Sequence, residues 1–398
     1  MRILVFTTLF PNRLQPNAAI FVKQRMFHFA RLPGHEIRVV APVPYCPSWV
    51  RMEPWSLYSR VPRVECMEGI RIHHPRYPLV PKVSMQWHFL SLLLSSVSTL
   101  RRIQKSFPFD LIDAHYIYPD GLAAVLLGKW FGKPVVLSAR GSDVNQFKGF
   151  PTIRPMLRYA LREAQEVISV CSALKQEMVD LGCPAQKITV VPNGVDADRF
   201  KAMDRHESRR ILGLPRSSRV VLSVGSLIPR KGFDLLINAF HRLVERYPDA
   251  VLYILGEGPQ KAFLKDLIKE NELESRVSLV GEVPNNALAR WYSAADVFCL
   301  ASSREGWANV IMEALACGCP VVATRVYGAP EILTTPEVGL LVDRTTKAIA
   351  SGLDEALFRV WDRDRIRRHV LARDWFVVAR EVAEVFRKTV QKQVMQRR

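Results

Sequence analysis

Two carboxylates eight positions apart, Glu305 and Glu313, bracket the segment Glu305-Gly-Trp-Ala-Asn-Val-Ile-Met-Glu313. The segment follows the apolar run Val297–Leu300 and precedes the turn Cys317-Gly-Cys-Pro320. A buried strand, a Gly turn and a helix in that order place it at the carboxyl end of a parallel sheet, where α/β folds bind ligands. Gly306 permits the turn, and the amides of Ala308, Asn309 and Val310 are expected to stand open at the helix start, a setting suited to a diphosphate. Carboxylates beside such an anion are costly unless they accept hydrogen bonds, so sugar and ribose hydroxyls are the chemistry that fits. Three other patterns carry less. Asp196-Ala-Asp198 has the spacing of a metal clamp but lies in a polar linker and reads as a turn. Asp362-Arg-Asp364 reads as a solvated helix face. Gly256-Glu-Gly258 lacks the third Gly of a dinucleotide fingerprint and runs into Pro259. No metal site is expected.

These residues sit in a chain of 398 residues, long enough for two domains, with 48% hydrophobic and 24% charged residues. The opening Met1–Phe10 has no small-residue cleavage site after it and reads as a first buried strand. Seven scattered cysteines read as reduced thiols in a cytosolic protein. The net charge of +18 is uneven. Residues 1–109 hold 15 Lys and Arg against 4 Asp and Glu, residues 110–199 hold 10 of each, and the last nineteen hold six basic and two acidic. A basic face of this kind suits an anionic lipid surface or an acidic substrate. No helix-turn-helix, finger or aromatic-basic strand accompanies it, so nucleic acid is not expected as a partner.

Short β-branched runs alternate with amphipathic segments almost throughout. Strands are predicted at Ile3–Thr7, Ile37–Ala41, Leu111–Ala114, Val135–Ser138 and Val167–Val170. A second series falls at about 219–224, Val251–Leu255, Val277–Val280, Val297–Leu300 and Pro320–Ala323. Helices are predicted at Phe21–Arg31, Ser84–Lys105, Gly121–Trp130, Ile153–Ala164, Phe233–Tyr247, Gln260–Asn271, Asn286–Ala294 and Asn309–Cys317, with a last one from Asp374 onward. The alternation implies an α/β chain with two doubly wound parallel sheets, hence two Rossmann-like domains. The polar stretch Asn193–Pro215 separates them. The domains are expected at 1–195 and 196–374, with the helix 375–398 packing back on the first. The helix Ser84–Lys105 is too short in its apolar part to span a bilayer. It either covers the core or lies on a membrane surface.

The segment Glu305–Glu313 resembles the Glu-x7-Glu signature of the retaining glycosyltransferases of family four, which have the GT-B fold. The resemblance also takes in Val191-Pro-Asn-Gly-Val-Asp196, Val224-Gly-Ser-Leu-Ile-Pro-Arg-Lys-Gly232, Leu255-Gly-Glu-Gly-Pro259, Ala295-Asp296 and Gly328-Ala-Pro-Glu331, in the family's order. It implies that Arg230 and Lys231, behind Gly225, grip the donor diphosphate. Two fixed cations there can stabilise a leaving phosphate without a metal. It implies that Glu305 holds the transferred sugar, with Gly306, Trp307, Ala308, Asn309 and Val310 beside it. Glu313 is implied to bind the ribose, and Val283, in Gly281-Glu-Val-Pro284, to lie where the base is met. In the first domain it implies that His115, ending Asp113-Ala-His115, faces the sugar, and that Arg140 and Asp143 of Ala139-Arg-Gly-Ser-Asp143 lie on the acceptor side. The chain departs from the family pattern twice. Arg140 stands where His is usual, and Ala19 stands where Gly often precedes Ile-Phe-Val.

The implied activity is transfer of a hexose from a nucleotide-diphosphate sugar to a hydroxyl acceptor in a cleft between the domains, with retention and with no cofactor. Polysaccharide, exopolysaccharide or glycolipid biosynthesis is the implied setting. The charge distribution adds the expectation of a lipid-linked acceptor and a peripheral place at the inner face of the cytoplasmic membrane. The competing readings are an epimerase or phosphorylase of the same fold, and a non-catalytic protein that binds anionic surfaces.

Overall fold

Runs such as Arg2-Ile-Leu-Val-Phe6 and Val220-Val-Leu-Ser-Val224 are apolar at nearly every position, the mark of strands buried on both faces. The computed structural model describes residues 1–46, 55–79 and 85–397 and divides them into two compact units. The first comprises Met1–Asn193 with the C-terminal helix, and the second Gly194–Asp374. The chain has the GT-B fold with two Rossmann-like domains.

In the first unit the strands are β1 (Arg2–Phe6), β2 (Glu36–Val40), β3 (Val43–Pro44), β4 (Val64–Met67), β5 (Ile70–His73), β6 (Arg76–Tyr77), β7 (Leu111–His115), β8 (Val135–Ser138), β9 (Glu166–Ser169) and β10 (Ile188–Val190). Among the described residues, eight of them form one sheet in the order β10-β9-β8-β7-β1-β2-β5-β4. All pairings in it are parallel except the β4–β5 hairpin. The second unit has β11 (Val220–Val224), β12 (Val251–Leu255), β13 (Val277–Gly281), β14 (Val297–Leu300), β15 (Val321–Thr324) and β16 (Gly339–Val342), all parallel in the order β13-β12-β11-β14-β15-β16. Every strand expected from the sequence is present within a residue or two at its ends. The hairpin β4–β5 and the short β3, β6, β10 and β16 were not expected. They lack a long apolar run, and pairing with strands remote in sequence specifies them.

The first unit ends two residues earlier than expected, because the Val195 amide donates to the Arg373 carbonyl (3.1 Å) and the two segments form a β-bridge. The last helix, Trp375–Arg397, belongs to the first unit. Its buried Trp375, Val378, Val382 and Phe386 share a core with Ile3, Val22, Phe29 and Leu111, and Phe386 meets Phe29 edge-on at 5.3 Å. The helix His88–Ser106 buries Leu92, Leu93, Val97, Leu100 and Ile103, while Leu90 turns outward. Ser84, the first residue of that expected helix, lies outside the described residues. All seven cysteines are free.

The helix Ile20–Ala30 begins after Ala19, which holds φ 46° and ψ 40°. A left-handed backbone suits Gly and costs an L-residue with a Cβ about 1–2 kcal/mol. The loop therefore keeps a glycine-like shape although the family's Gly is replaced. We expect Ala19→Gly to leave stability unchanged or raise it by up to about 1 kcal/mol, since relief of strain exceeds the entropy Gly adds to the unfolded chain. Urea unfolding measures this, and a clear loss of stability would show that Ala19 is unstrained.

Candidate active site

In the second unit the strand order reverses between β11 and β14, the switch point where parallel sheets open a crevice at their carboxyl ends. The loops after these two strands carry most of the expected donor residues. After β11, Gly225 donates its amide to Leu255 (2.9 Å), and Pro229–Lys231 forms a single 3-10 turn. Gly232 then starts the helix Phe233–Val244 at φ 67°, and a Cβ there would lie 2.3 Å from the Ala301 carbonyl oxygen. The second loop follows β14, and its Ser303 amide donates to the Arg230 carbonyl (2.8 Å). The two loops are thus fastened backbone to backbone.

That fastening brings the charges together. Lys231 Nζ donates to Glu305 Oε1 (2.5 Å), Ser302 Oγ donates to the same oxygen (2.7 Å), and Arg230 Nη1 lies 3.4 Å from Glu305 Oε2. Glu305 and Lys231 are mostly buried, and Arg230 is about one-third exposed (35%). A carboxylate held between two cations keeps both in place. Trp307 is buried, and its indole N–H has no acceptor among the described residues. Among the three amides expected to be open, that of Asn309 instead donates to the Trp307 carbonyl (3.0 Å), because the chain tightens just before the helix Asn309–Ala316. Ala308 and Val310 occupy the remaining two positions at the helix start, and Gly306 the turn before them. Glu313 lies on that helix, where Tyr292 Oη donates to its Oε2 (3.0 Å). Desolvation raises the Glu313 carboxyl to about 7, against the Tyr292 hydrogen bond and the Arg199 charge. Val283 is half-buried in the loop after β13. Of the patterns set aside earlier, Asp196 accepts from the Arg199 amide (3.0 Å) and Asp362 caps the helix Arg363–Leu371.

In the first unit the order reverses between β7 and β1. His115 ends β7 fully buried. Arg140 Nη2 donates to its Nδ1 (2.6 Å), so Nδ1 carries the lone pair and Nε2–H donates to Asp113 Oδ2 (2.9 Å). Burial lowers the His115 pKa to about 3, with Asp113 opposing and the Arg25 and Arg140 charges assisting, so the ring is neutral. Burial alone would raise Asp113, but Arg25 and His115 hold it well below the usual carboxylate range. Arg140 also donates to Asn193 Oδ1 (3.1 Å) and lies over the Phe21 ring. Asp143 is enclosed, and its carboxylate accepts from the amides of Ile117, Arg140 and Gly141 (2.7–3.0 Å), so it shapes the loops after β7 and β8.

Two residues here escaped the sequence reading. Arg25 is fully buried and donates through Nη2 to both Asp113 oxygens (3.0 and 2.9 Å) and to Ser138 Oγ (2.8 Å). Its signal was available, because Val22, Arg25, Met26 and Phe29 form one helical stripe and a charge on a buried stripe needs a partner. Asp120 is buried and accepts from the Thr8 amide and from Thr8 Oγ1 (3.1 Å), tying the loop after β7 to the loop after β1. It stands in Tyr118-Pro-Asp-Gly121, which reads as an ordinary turn.

Comparison with known proteins identifies the family. Residues 22–199 match the family described as Glycosyltransferase Family 4, and residues 204–369 match Glycosyl transferases group 1. The D-inositol 3-phosphate glycosyltransferase of Pseudarthrobacter chlorophenolicus is 31% identical over 282 residues, 68% of this chain and 67% of its own. The chain is a family 4 glycosyltransferase. The Bacillus subtilis protein TuaC, named as a teichuronic acid biosynthesis glycosyltransferase, is 29% identical over 358 residues, 89% of this chain and 88% of its own. Among solved structures, Anabaena HepE in complex with UDP and glucose superposes with a TM-score of 0.72 at 20% identity, covering 98% of this chain and 100% of that one.

A carboxyl raised from 4.5 to about 7 on folding keeps a proton that the unfolded chain has lost, so it lowers stability progressively as pH rises through that window. The glycosyltransferase with Glu313→Gln should therefore be more stable than the parent at about pH 8, by up to about 3 kcal/mol, and nearly equal to it at about pH 5. Urea unfolding at the two pH values checks this, and an equal difference at both would contradict it.

Proposed function

We propose that this glycosyltransferase moves a hexose from a nucleoside-diphosphate sugar to a hydroxyl with retention of anomeric configuration and without a metal ion, in polysaccharide or glycolipid synthesis. The observation that carries the reading is the Lys231–Glu305–Arg230 cluster at the β11–β14 switch point. Two cations fixed by one carboxylate are preorganised for the negative charge that develops on a leaving phosphate, and they need no reorganisation when it forms. The bond from C1 to the β-phosphate oxygen breaks, and the acceptor oxygen bonds C1 from the same face. The acceptor proton passes to the departing phosphate. Glu305 accepts a hydroxyl of the transferred sugar, and Glu313 the hydroxyls of the ribose. HepE, solved with UDP and glucose, and TuaC, named for teichuronic acid biosynthesis, support the donor class and the setting.

Incubating the protein with labelled nucleotide sugars and acceptor in excess EDTA tests this directly. Turnover should persist, the first product should keep the donor's anomeric configuration by NMR, and Lys231→Ala or Arg230→Ala should lose roughly 10²–10³ in kcat. Activity that needs added Mg²⁺, an inverted product or an active double variant would each refute the corresponding claim.

The acceptor in this reading is lipid-linked, and the protein sits at the cytoplasmic membrane surface. Among the described residues no helix is long and apolar enough to cross a membrane. At the start of the helix His88–Ser106, however, Trp87 (59% exposed) and Leu94 (63%) point outward with Leu90. The surrounding residues 1–109 are strongly basic. Each Lys or Arg beside an anionic leaflet contributes about 1 kcal/mol. Sedimentation with phosphatidylglycerol vesicles should carry the protein down at low salt and release it at high salt. Recovery in the supernatant at low salt would make the acceptor soluble.

A further inference from the structure

The basic excess of the first unit is not only a surface property, because some of it converges on a cavity of about 320 Å³ lined by Arg38, Arg63, Arg71, His73, Thr99 and Arg102. The lining comes from three strands and one helix. Arg38 is on β2, Arg63 precedes β4, Arg71 and His73 are on β5, and Thr99 and Arg102 lie near the end of the helix His88–Ser106. Strands β2 and β5 pair in parallel with Val40 beside His73 and Val39 beside Ile72. One step back along the same register sets Arg38 beside Arg71, and like charges side by side on neighbouring strands repel.

Nothing among the described residues neutralises them. None of the four arginines makes an ion pair with a described residue. Arg102 reaches only Thr99 Oγ1 (3.5 Å), and Arg38 lies over the Phe107 ring at 5.4 Å. Glu36, two positions back on β2, pairs with Arg2 instead (3.7 Å). The half-buried His73 registers the resulting field. Its pKa falls to about 4 through burial and the charges of Arg71, Arg38 and Arg102. Four guanidinium groups and a hydroxyl around a concave space make an unfilled fork-like donor set, which matches the oxygens of a phosphate. None of the lining residues is among those assigned to transfer, and β1 and β2 lie between β7, which carries His115, and β5.

We infer that this cavity is a binding site for a small phosphate-bearing anion, distinct from the donor residues of the second unit. The site tolerates mutual repulsion of its arginines when empty and is stabilised when an anion with two or more charges joins them. This inference does not depend on the donor reading.

The test uses the full chain carrying Arg230→Ala and Lys231→Ala, so that the donor cluster does not itself take up the probe. Inorganic diphosphate is titrated calorimetrically into this chain with and without Arg38→Gln and Arg71→Gln, and phosphatidylglycerol vesicles are offered in parallel. Saturable diphosphate binding that weakens about tenfold or more with the two Gln substitutions supports the site as one for a free phosphate. Vesicle binding alone, lost with the same substitutions, assigns it to a phosphate headgroup. In phosphate-free buffer at low salt, Arg71→Gln should raise Tm, and diphosphate should raise Tm of the parent more than that of the variant. Identical binding in both chains, or no binding of either probe, would overturn the inference and leave the arginines as solvated side chains.

Discussion

The close approach of Gly232 to the Ala301 carbonyl is the contact on which the donor side depends. It leaves no room for a side chain, so the loop after β11 and the loop after β14 lie against one another as backbone. The Ser303 amide then reaches the Arg230 carbonyl, and Thr324 Oγ1 holds the Ser302 carbonyl from below (2.6 Å). Only with those loops locked can a flexible Lys and a flexible Arg be fixed on one carboxylate. Gly256 has a similar role on the neighbouring strand's loop, where a Cβ would meet the Gly225 carbonyl oxygen at 2.0 Å. The glycines of Val224–Gly232 and Leu255–Pro259 are therefore packing requirements of a charged site. They do not form a dinucleotide fingerprint.

The first unit solves a different problem, that of burying charge at the carboxyl end of its sheet. Removing an ion from water costs several kcal/mol unless partners replace the lost hydrogen bonds. Arg25 enters the core on the apolar stripe of its helix and is matched by Asp113, which also takes the His115 proton donor. Arg140 closes the other ring nitrogen. The imidazole is thereby fixed in one tautomer and kept neutral, so its contribution is shape and hydrogen bonding, with proton transfer at neutral pH disfavoured. Having Arg140 at a position where the family carries His is compatible with this network because Asn193 and the Phe21 ring hold its guanidinium.

Much of this was legible in the sequence, and the physical reason is periodicity. Strands such as Val135–Ser138 and Val297–Leu300 are continuous apolar runs, and helices such as Phe233–Val244 repeat with a clear apolar stripe. The pairing of Arg230 and Lys231 with Glu305 was not read from the sequence, since the two segments lie more than seventy residues apart and meet through adjacent strands β11 and β14. The network in the first unit was not read either, since Arg25, Asp113 and the segment 138–140 are far apart in the chain and meet only through the pairing of β7 with β8 and the packing of the helix Ile20–Ala30. The edge hairpin β4–β5 was missed for the same reason. Its residues alternate in burial without a strong apolar run, and its register against β2 is a tertiary fact.

Where charge is left uncompensated is as informative as where it is balanced. At the β11–β14 switch, two cations share Glu305, which leaves the cluster one positive charge in excess. An incoming diphosphate can take that excess without displacing the carboxylate that positions it. Around His115 the charges cancel more nearly and the groups are buried, as a rigid support requires. On β2 and β5 the one carboxylate, Glu36, pairs with Arg2, no described carboxylate pairs with Arg38 or Arg71, and the repulsion is borne by strands inside the sheet. A fold held together by apolar strands can carry such a local cost, because a few unfavourable pairs are small beside the burial that its two cores provide. Charge in this protein is thus nearly balanced in the buried network around His115 and left in excess beside Glu305 and on β2 and β5.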